Sequence, residues 1–119
     1  NIDILDLKQN TDYQGWKATD KEIEWFWNIM VSLSRSQKAA FLQFVTGSSK
    51  VPLTGFSELQ GMRGIQKFNI HKVEGSSGAL MSAHTCFNSL DLPTYKSEEE
   101  MKGKLLYAIS EGQGAFMFA

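Results

Sequence analysis

The feature that most constrains the fold of this sequence is a helix-start signal that occurs three times. The pattern is a hydroxyl residue followed three positions later by Glu or Gln, as in a capping box, and it falls at residues 19–22, 34–37 and 97–100. Each signal precedes apolar residues at helical spacing, so we predict three amphipathic helices. Gly47 is expected to end the second helix, and Gly112 to Gly114 the third. The apolar positions are Ile23, Phe26, Trp27, Met30 and Leu33, then Ala40, Phe41, Phe44 and Val45, then Met101, Leu105, Ala108 and Ile109.

The segment between the second and third helices has a different pattern. Residues 46–64 are rich in Gly, Ser and Pro and are predicted to be a loop. Apolar and polar residues alternate weakly over residues 65–73, which favours a strand, and residues 80–88 are predicted to form a second short strand or loop. Residues 90–93 are expected to end that segment, and Pro93 disfavours helix at the residue before it. With residues 1–18 as a short helix or extended arm, we predict one α+β domain, a small mixed sheet flanked by helices.

Composition narrows the functional classes. The chain has 12 Lys and Arg residues and 13 Asp and Glu residues. Because the basic residues form no stripe, nucleic acid is not an expected partner. No stretch approaches the roughly 20 apolar residues of a membrane span, so no membrane partner is expected. Because the chain has a single cysteine, it has no internal disulfide, which is typical of a cytoplasmic or also nuclear protein. Its Cys and His residues lack the paired spacing of zinc sites, so we expect no metal, and we expect no cofactor.

That single cysteine, Cys86, is the main candidate for chemistry. A thiol is nucleophilic as its thiolate, which a nearby histidine favours. His84 is two positions away and would face the same side in an extended segment. The residues alone leave open that Cys86 is instead a small buried apolar side chain. On the same basis, His71 is interpreted as structural or exposed, and Asp91 as a solvated turn carboxylate.

The order of motifs resembles one family. Residues 84–93 (HTCFNSLDLP) are similar to the active-site signature of HECT-type ubiquitin ligases, and residues 41–56 (FLQFVTGSSKVPLTGF) to an earlier motif of the same C-terminal lobe. Residues 2–13 resemble the linker and first helix between the family's two lobes, and Phe116, fourth from the end, resembles its tail anchor. The resemblance covers essentially the whole chain and implies three segments: linker and first helix at 1–18, lobe core at 19–111, tail at 112–119.

The resemblance also implies roles for particular residues. Cys86 would accept ubiquitin as a thioester from a ubiquitin-conjugating enzyme and pass it to a substrate lysine. Asp91 would orient or deprotonate that lysine, and Phe116 would help to place the two lobes. His84, Thr85 and Phe87 would shape the loop around the nucleophile, and a surface of Leu80, Met81, Leu90 and Leu92 would contact ubiquitin. Met81 and Met117 depart from the Pro and Gly usual in the family.

The implied partners are ubiquitin, a conjugating enzyme that the family binds through an N-terminal lobe, and a protein lysine. Without that lobe, this chain alone is expected to be a poor ligase. Three alternatives stay open from the sequence: a ubiquitin-binding module without catalysis, a redox-sensing thiol, and a structural domain with a buried Cys86.

Overall fold

The described residues form four α-helices and six strands. The computed structural model describes the backbone of residues 2–75 and 78–118 and the side chains of residues 2–75 and 78–110. The helices are α1 (Ile4–Gln9), α2 (Lys21–Ser32), α3 (Arg35–Thr46) and α4 (Glu98–Phe118). The strands are β1 (Thr11–Gln14), β2 (Gln60–Gly61), β3 (Gly64–Ile65), β4 (Phe68–Val73), β5 (Ser82–His84) and β6 (Ser89–Pro93), with 3₁₀ turns at Phe56–Glu58 and Thr85–Phe87.

Four of the strands form one mixed sheet in the order β1-β4-β6-β5. β1 and β4 are parallel, β4 and β6 are parallel, and β5 runs antiparallel to β6. β2 and β3 form a separate antiparallel hairpin. The predicted α+β class with a small mixed sheet and flanking helices is confirmed.

The core lies between the helices and one face of this sheet. An aromatic cluster occupies its centre, where Phe41 meets Phe68 edge-on at 5.7 Å between ring centroids and Phe26 meets Trp27 at 4.9 Å. Edge-to-face contacts of this kind add to the stabilisation from burial. Ile70 and Leu90 are adjacent in the register of β4 and β6 and both are fully buried, so this face of the sheet points into the core.

The helix ends agree with the sequence at α3 but not at α2. At α3 the Ser34 hydroxyl accepts from the Gln37 N–H at 3.2 Å, while Gln37 Oε1 accepts from the Ser34 N–H at 2.8 Å, and Gly47 closes the helix with φ +81°. At α2 the prediction of a Thr19 cap is wrong, because Asp20 is the N-cap residue. The Asp20 carboxylate instead accepts from the Lys17 N–H at 2.9 Å, so it belongs to the preceding turn.

The end of α4 also differs from the prediction. The backbone is helical through Phe118, so the expectation that Gly112 to Gly114 end the helix is wrong. Glycine costs about 1 kcal/mol relative to alanine in a helix interior, which weakens a helix without forbidding it. At the N-terminal end of α4 the predicted capping box forms only in part. Ser97 Oγ accepts from the Glu100 N–H, but Glu100 Oε1 accepts from the backbone N–H of Lys96 instead of that of Ser97.

β1, β2 and β6 were not predicted as strands, and β2 lies in the segment that was predicted to be a loop. β1 is a four-residue edge strand whose alternate residues, Asp12 and Gln14, are polar and exposed, and its partner β4 is remote in sequence. β6 was interpreted as the end of a strand, but it is an inner strand of the sheet. Pro93 stands at its last position.

Among the described residues, no helix combines the length and apolar character needed to cross a membrane.

Candidate active site

Cys86 lies on the 3₁₀ turn that joins β5 to β6, and its side chain is exposed. The interpretation of Cys86 as a buried structural residue is therefore wrong. His84 ends β5 in an extended conformation, Thr85 and Phe87 flank the thiol on the turn, and both of these are exposed. The end of α3 packs against this turn, because a Cβ added at Gly47 would lie 3.6 Å from the Cβ of Thr85.

The β2–β3 hairpin holds the backbone of the turn. The Met62 N–H donates to the Cys86 carbonyl oxygen at 2.9 Å. A Cβ on Gly61 would lie 3.2 Å from that oxygen and 2.6 Å from Gln66 Cβ, so the close approach of hairpin and turn requires glycine there. The cysteine backbone is thus fixed while its thiol remains accessible.

Asn88 connects the same hairpin to the end of the turn. Its backbone is left-handed, with φ +51°, and its side chain is fully buried. The side-chain amide donates to the carbonyl oxygens of Gln60 at 2.9 Å and Gln66 at 2.7 Å. Asparagine is one of few residues besides glycine that adopt this conformation at low cost, and here it also supplies two donors.

A second asparagine anchors the turn from the sheet. Asn69 on β4 donates from Nδ2 to the Phe87 carbonyl at 3.0 Å and from its backbone N–H to the Asn88 carbonyl at 3.0 Å. Neither asparagine was singled out from the sequence. Asn adopts the left-handed conformation more often than most residues, which is a signal for Asn88, whereas nothing local in the sequence identifies Asn69.

His84 is paired with Asp91 across the β5–β6 ladder. His84 Nε2 lies 2.8 Å from Asp91 Oδ2, and the Ser82 hydroxyl donates to the same oxygen at 3.3 Å. From the sequence a direct contact between His84 and Cys86 was possible, and in the structure the His84 side chain is hydrogen-bonded to a carboxylate. Asp91 is not a solvated turn residue, because it lies on β6 and its side chain is only 15% exposed.

His71 approaches the same carboxylate from the other neighbouring strand. His71 and Asp91 are register partners in β4 and β6, and His71 Nδ1 lies 3.6 Å from Asp91 Oδ1. The ring is half exposed, at 50%. The interpretation of His71 as merely structural or exposed missed this approach, since parallel pairing of β4 with β6 is a long-range property.

The predicted ubiquitin-contact surface is largely wrong. Leu90 and Leu92 are fully buried and Met81 is 5% exposed, so these three belong to the core. Leu90 and Leu92 alternate with Asp91 on β6, which directs them to the core face and the carboxylate to the other. Leu80 is 56% exposed and Phe87 54%, so both remain available at the surface.

Tyr95 holds the segment before β5 through a hydrogen bond. Its hydroxyl donates to the Ala79 carbonyl at 2.6 Å. Burial of the phenol, with a smaller contribution from the negative charge of Glu100, raises the pKa of Tyr95 to about 12 from an ordinary value of 10.0. The hydroxyl is consequently a proton donor throughout the physiological range.

Phe116 and Met117 lie in α4 by their backbone, and their side chains are outside the described residues. The predicted tail anchor therefore stays a prediction. Within the described part of the chain, no group of three or more His, Cys, Asp or Glu side chains is arranged to hold a metal ion.

The fold and this site define a small α+β domain that presents one anchored, exposed cysteine two residues after a histidine that is paired with an aspartate. A model of the family described as HECT-domain (ubiquitin-transferase) matches residues 1–119. The chain belongs to this family of ubiquitin transferases.

Similar proteins include the E3 ubiquitin-protein ligase ptr1 of Schizosaccharomyces pombe, 51% identical over 118 residues, and the E3 ubiquitin-protein ligase HUWE1 of Mus musculus, 52% identical over 118 residues. The E3 ubiquitin-protein ligase TOM1 of Saccharomyces cerevisiae is 51% identical over 119 residues. These matches cover 99%, 99% and 100% of this chain but only 4%, 3% and 4% of the respective relatives.

Proposed function

We propose that Cys86 accepts ubiquitin as a thioester from a ubiquitin-conjugating enzyme and transfers it to a lysine of a substrate protein. The observation that carries this proposal is the combination of an exposed thiol with an anchored backbone. The carbonyl groups of Cys86, Phe87 and Asn88 each accept a hydrogen bond from the hairpin or from Asn69. Such anchoring suits a nucleophile that must meet a large, separately bound electrophile in one geometry.

The first step is thioester exchange. The Cys86 thiolate attacks the carbonyl carbon of the C-terminal glycine of ubiquitin, and a C–S bond to Cys86 forms. The bond to the sulfur of the conjugating enzyme breaks, and that sulfur leaves as a thiolate. Reactant and product are both thioesters, so the exchange is nearly balanced and positioning governs its rate.

The second step forms an amide. A neutral lysine amine attacks the same carbonyl carbon, the C–N bond forms, and Cys86 leaves as a thiolate while the nitrogen loses a proton. An unperturbed lysine has a pKa of about 10.4, so little neutral amine is present at pH 7 and a base or orienting group accelerates the step.

His84 and Asp91 are suited to that second role. We propose that Asp91 accepts a hydrogen bond from His84 Nε2–H, an arrangement in which Nδ1 is the basic nitrogen of the neutral ring. No acceptor or donor within the described residues occupies that Nδ1. We therefore propose that Asp91 orients the amine mainly through His84, with the ring taking up the proton.

The remaining predicted residues take supporting roles in this proposal. Leu80, Thr85 and Phe87 are exposed around the turn and would contact the C-terminal segment of ubiquitin. Phe116 would help to position a second lobe that binds the conjugating enzyme. The assignment of residues 1–18, 19–111 and 112–119 as linker, lobe and tail, and a cytoplasmic or also nuclear location, likewise remain proposals.

The test is reaction with a ubiquitin whose C-terminus carries a thiol-reactive electrophile, which bypasses the conjugating enzyme. Wild type, Cys86→Ala and Asp91→Asn are compared on a denaturing gel, with a small thiol reagent as control for accessibility. An adduct on wild type and Asp91→Asn but not on Cys86→Ala supports the proposal. If the small reagent labels Cys86 and ubiquitin does not, the thiol is accessible without being presented to ubiquitin, and the binding-module or redox interpretation replaces this one.

A further inference from the structure

The two oxygens of the Asp91 carboxylate have different environments. Oδ2 faces both the His84 ring and the Ser82 hydroxyl. Oδ1 is inaccessible to solvent and accepts no hydrogen bond from any residue that the structure describes. A buried carboxylate oxygen without a donor is costly, and natural structures rarely leave one.

His71 is the side chain placed to satisfy that oxygen. Its Nδ1 lies 3.6 Å from Asp91 Oδ1, and the two residues are direct register partners on the same face of the sheet. The distance is a few tenths of an ångström beyond hydrogen-bonding range, which a small rotation of the half-exposed ring closes. Gln14, the register partner of His71 on β1, lies on its other side.

We propose that His71 is a positioning residue for the transfer step, donating from Nδ1 to Asp91 Oδ1. The torsion about the carboxylate of aspartate is broad, so a donor on one oxygen alone leaves the plane of the group poorly defined. Donors on both oxygens define it, and Oδ2 then holds His84 in one orientation. The three side chains form a row, His71–Asp91–His84, across β4, β6 and β5.

This inference rests on the proposed role of Asp91 and His84 in discharge to lysine, but its geometric part is testable without activity. Long-range proton–nitrogen correlation spectra of the histidine rings identify which nitrogen carries the proton. We expect neutral His71 to carry its proton on Nδ1 in wild type and in Gln14→Leu, and on Nε2 in Asp91→Ala. A wild-type His71 with its proton on Nε2 overturns the proposal.

The functional part is tested with two substitutions at His71. Asn places an amide N–H close to the position of the imidazole Nδ1, whereas Leu retains bulk and removes the donor. Each protein is loaded from a ubiquitin thioester of a small thiol, and discharge to free lysine is then timed. We expect His71→Leu to slow discharge about ten- to hundredfold, the range expected for loss of one hydrogen bond to a charged group, and His71→Asn to stay within about twofold of wild type.

Loading by electrophilic ubiquitin should be unchanged in both variants, with Gln14→Leu as the matched control on the same row of the sheet. Equal discharge rates for the Leu and Asn variants, whether both fast or both slow, would contradict the positioning role. If wild type itself does not load, the proposed function fails, and the proton position on His71 still decides whether His71 holds Asp91.

Discussion

His84 Nε2 and Asp91 Oδ2 lie 2.8 Å apart, on the antiparallel strands that enter and leave the Cys86 turn. The pair is diagonal in the ladder, since the register partner of Asp91 on β5 is Ser82. Long side chains reach across such diagonals. The His84 ring is thereby hydrogen-bonded to a side chain of β6, and His84 precedes Cys86 by two positions in the sequence.

This relationship predicts that Asp91→Asn separates the two chemical steps. The amide keeps the size of the side chain but does not stabilise a protonated His84, so discharge to free lysine should slow at least about tenfold. Loading of Cys86 by electrophilic ubiquitin should be spared. Single-turnover discharge of the preformed thioester is the measurement, and equal rates in the two proteins would remove Asp91 from the mechanism.

A second prediction concerns the buried amide of Asn88. Asn88→Gly tolerates φ +51° but leaves the Gln60 and Gln66 carbonyls without their donors, and we expect a loss of about 1–3 kcal/mol in the free energy of unfolding. Asn88→Ala should cost about 1 kcal/mol more, because Cβ disfavours the left-handed region. Urea denaturation of the three proteins checks this order. Equal stability of the Gly and Ala variants would show that the backbone conformation at residue 88 carries no cost.

The role proposed for Phe116 predicts a defect confined to ligation. In a longer chain that includes the N-terminal lobe, Phe116→Ala should form the Cys86 thioester normally and attach ubiquitin to lysine more slowly. Phe118→Ala is the matched control, two residues further along the same sequence. Unchanged ligation by the Phe116 variant, or an equal defect in both, would refute a specific anchor.

The pKa of Tyr95 predicts a particular pH dependence of stability. The folded pKa of about 12 exceeds the ordinary 10.0, so the stabilising contribution is complete below pH 10 and is lost as pH rises towards 12. The Tyr95→Phe variant lacks both the ionisation and the hydrogen bond to Ala79. Its deficit in unfolding free energy relative to wild type should therefore shrink between pH 10 and 12. A deficit that stays constant over this range, measured by chemical denaturation, would exclude the raised pKa.

The helical part of the fold could be predicted from the sequence, and Cys86 could be singled out there as the candidate nucleophile. Capping residues and the 3.6-residue period are local, so they located α2, α3 and the start of α4 to within a few residues. The cap of α2 was misplaced by one residue because Asp20 and Thr19 both carry suitable oxygens. In the structure the Asp20 carboxylate accepts from the Lys17 N–H, an interaction that the helix pattern does not indicate. The Gly112 to Gly114 segment was misjudged because glycine weakens a helix by a small amount that tertiary context can override.

Most of the site beyond Cys86 was decided by strand pairing. The sequence determined that a single thiol follows a histidine by two residues and precedes a carboxylate by five. It did not determine that His84 would bind Asp91, that His71 would face the same carboxylate, or that Leu90 and Leu92 would be buried. These facts depend on the β4–β6–β5 register, which joins residues up to 20 positions apart. The free energy that selects such a register comes from burying one whole face of a sheet. That burial depends on several strands at once, so it cannot be read from the sequence of any single segment.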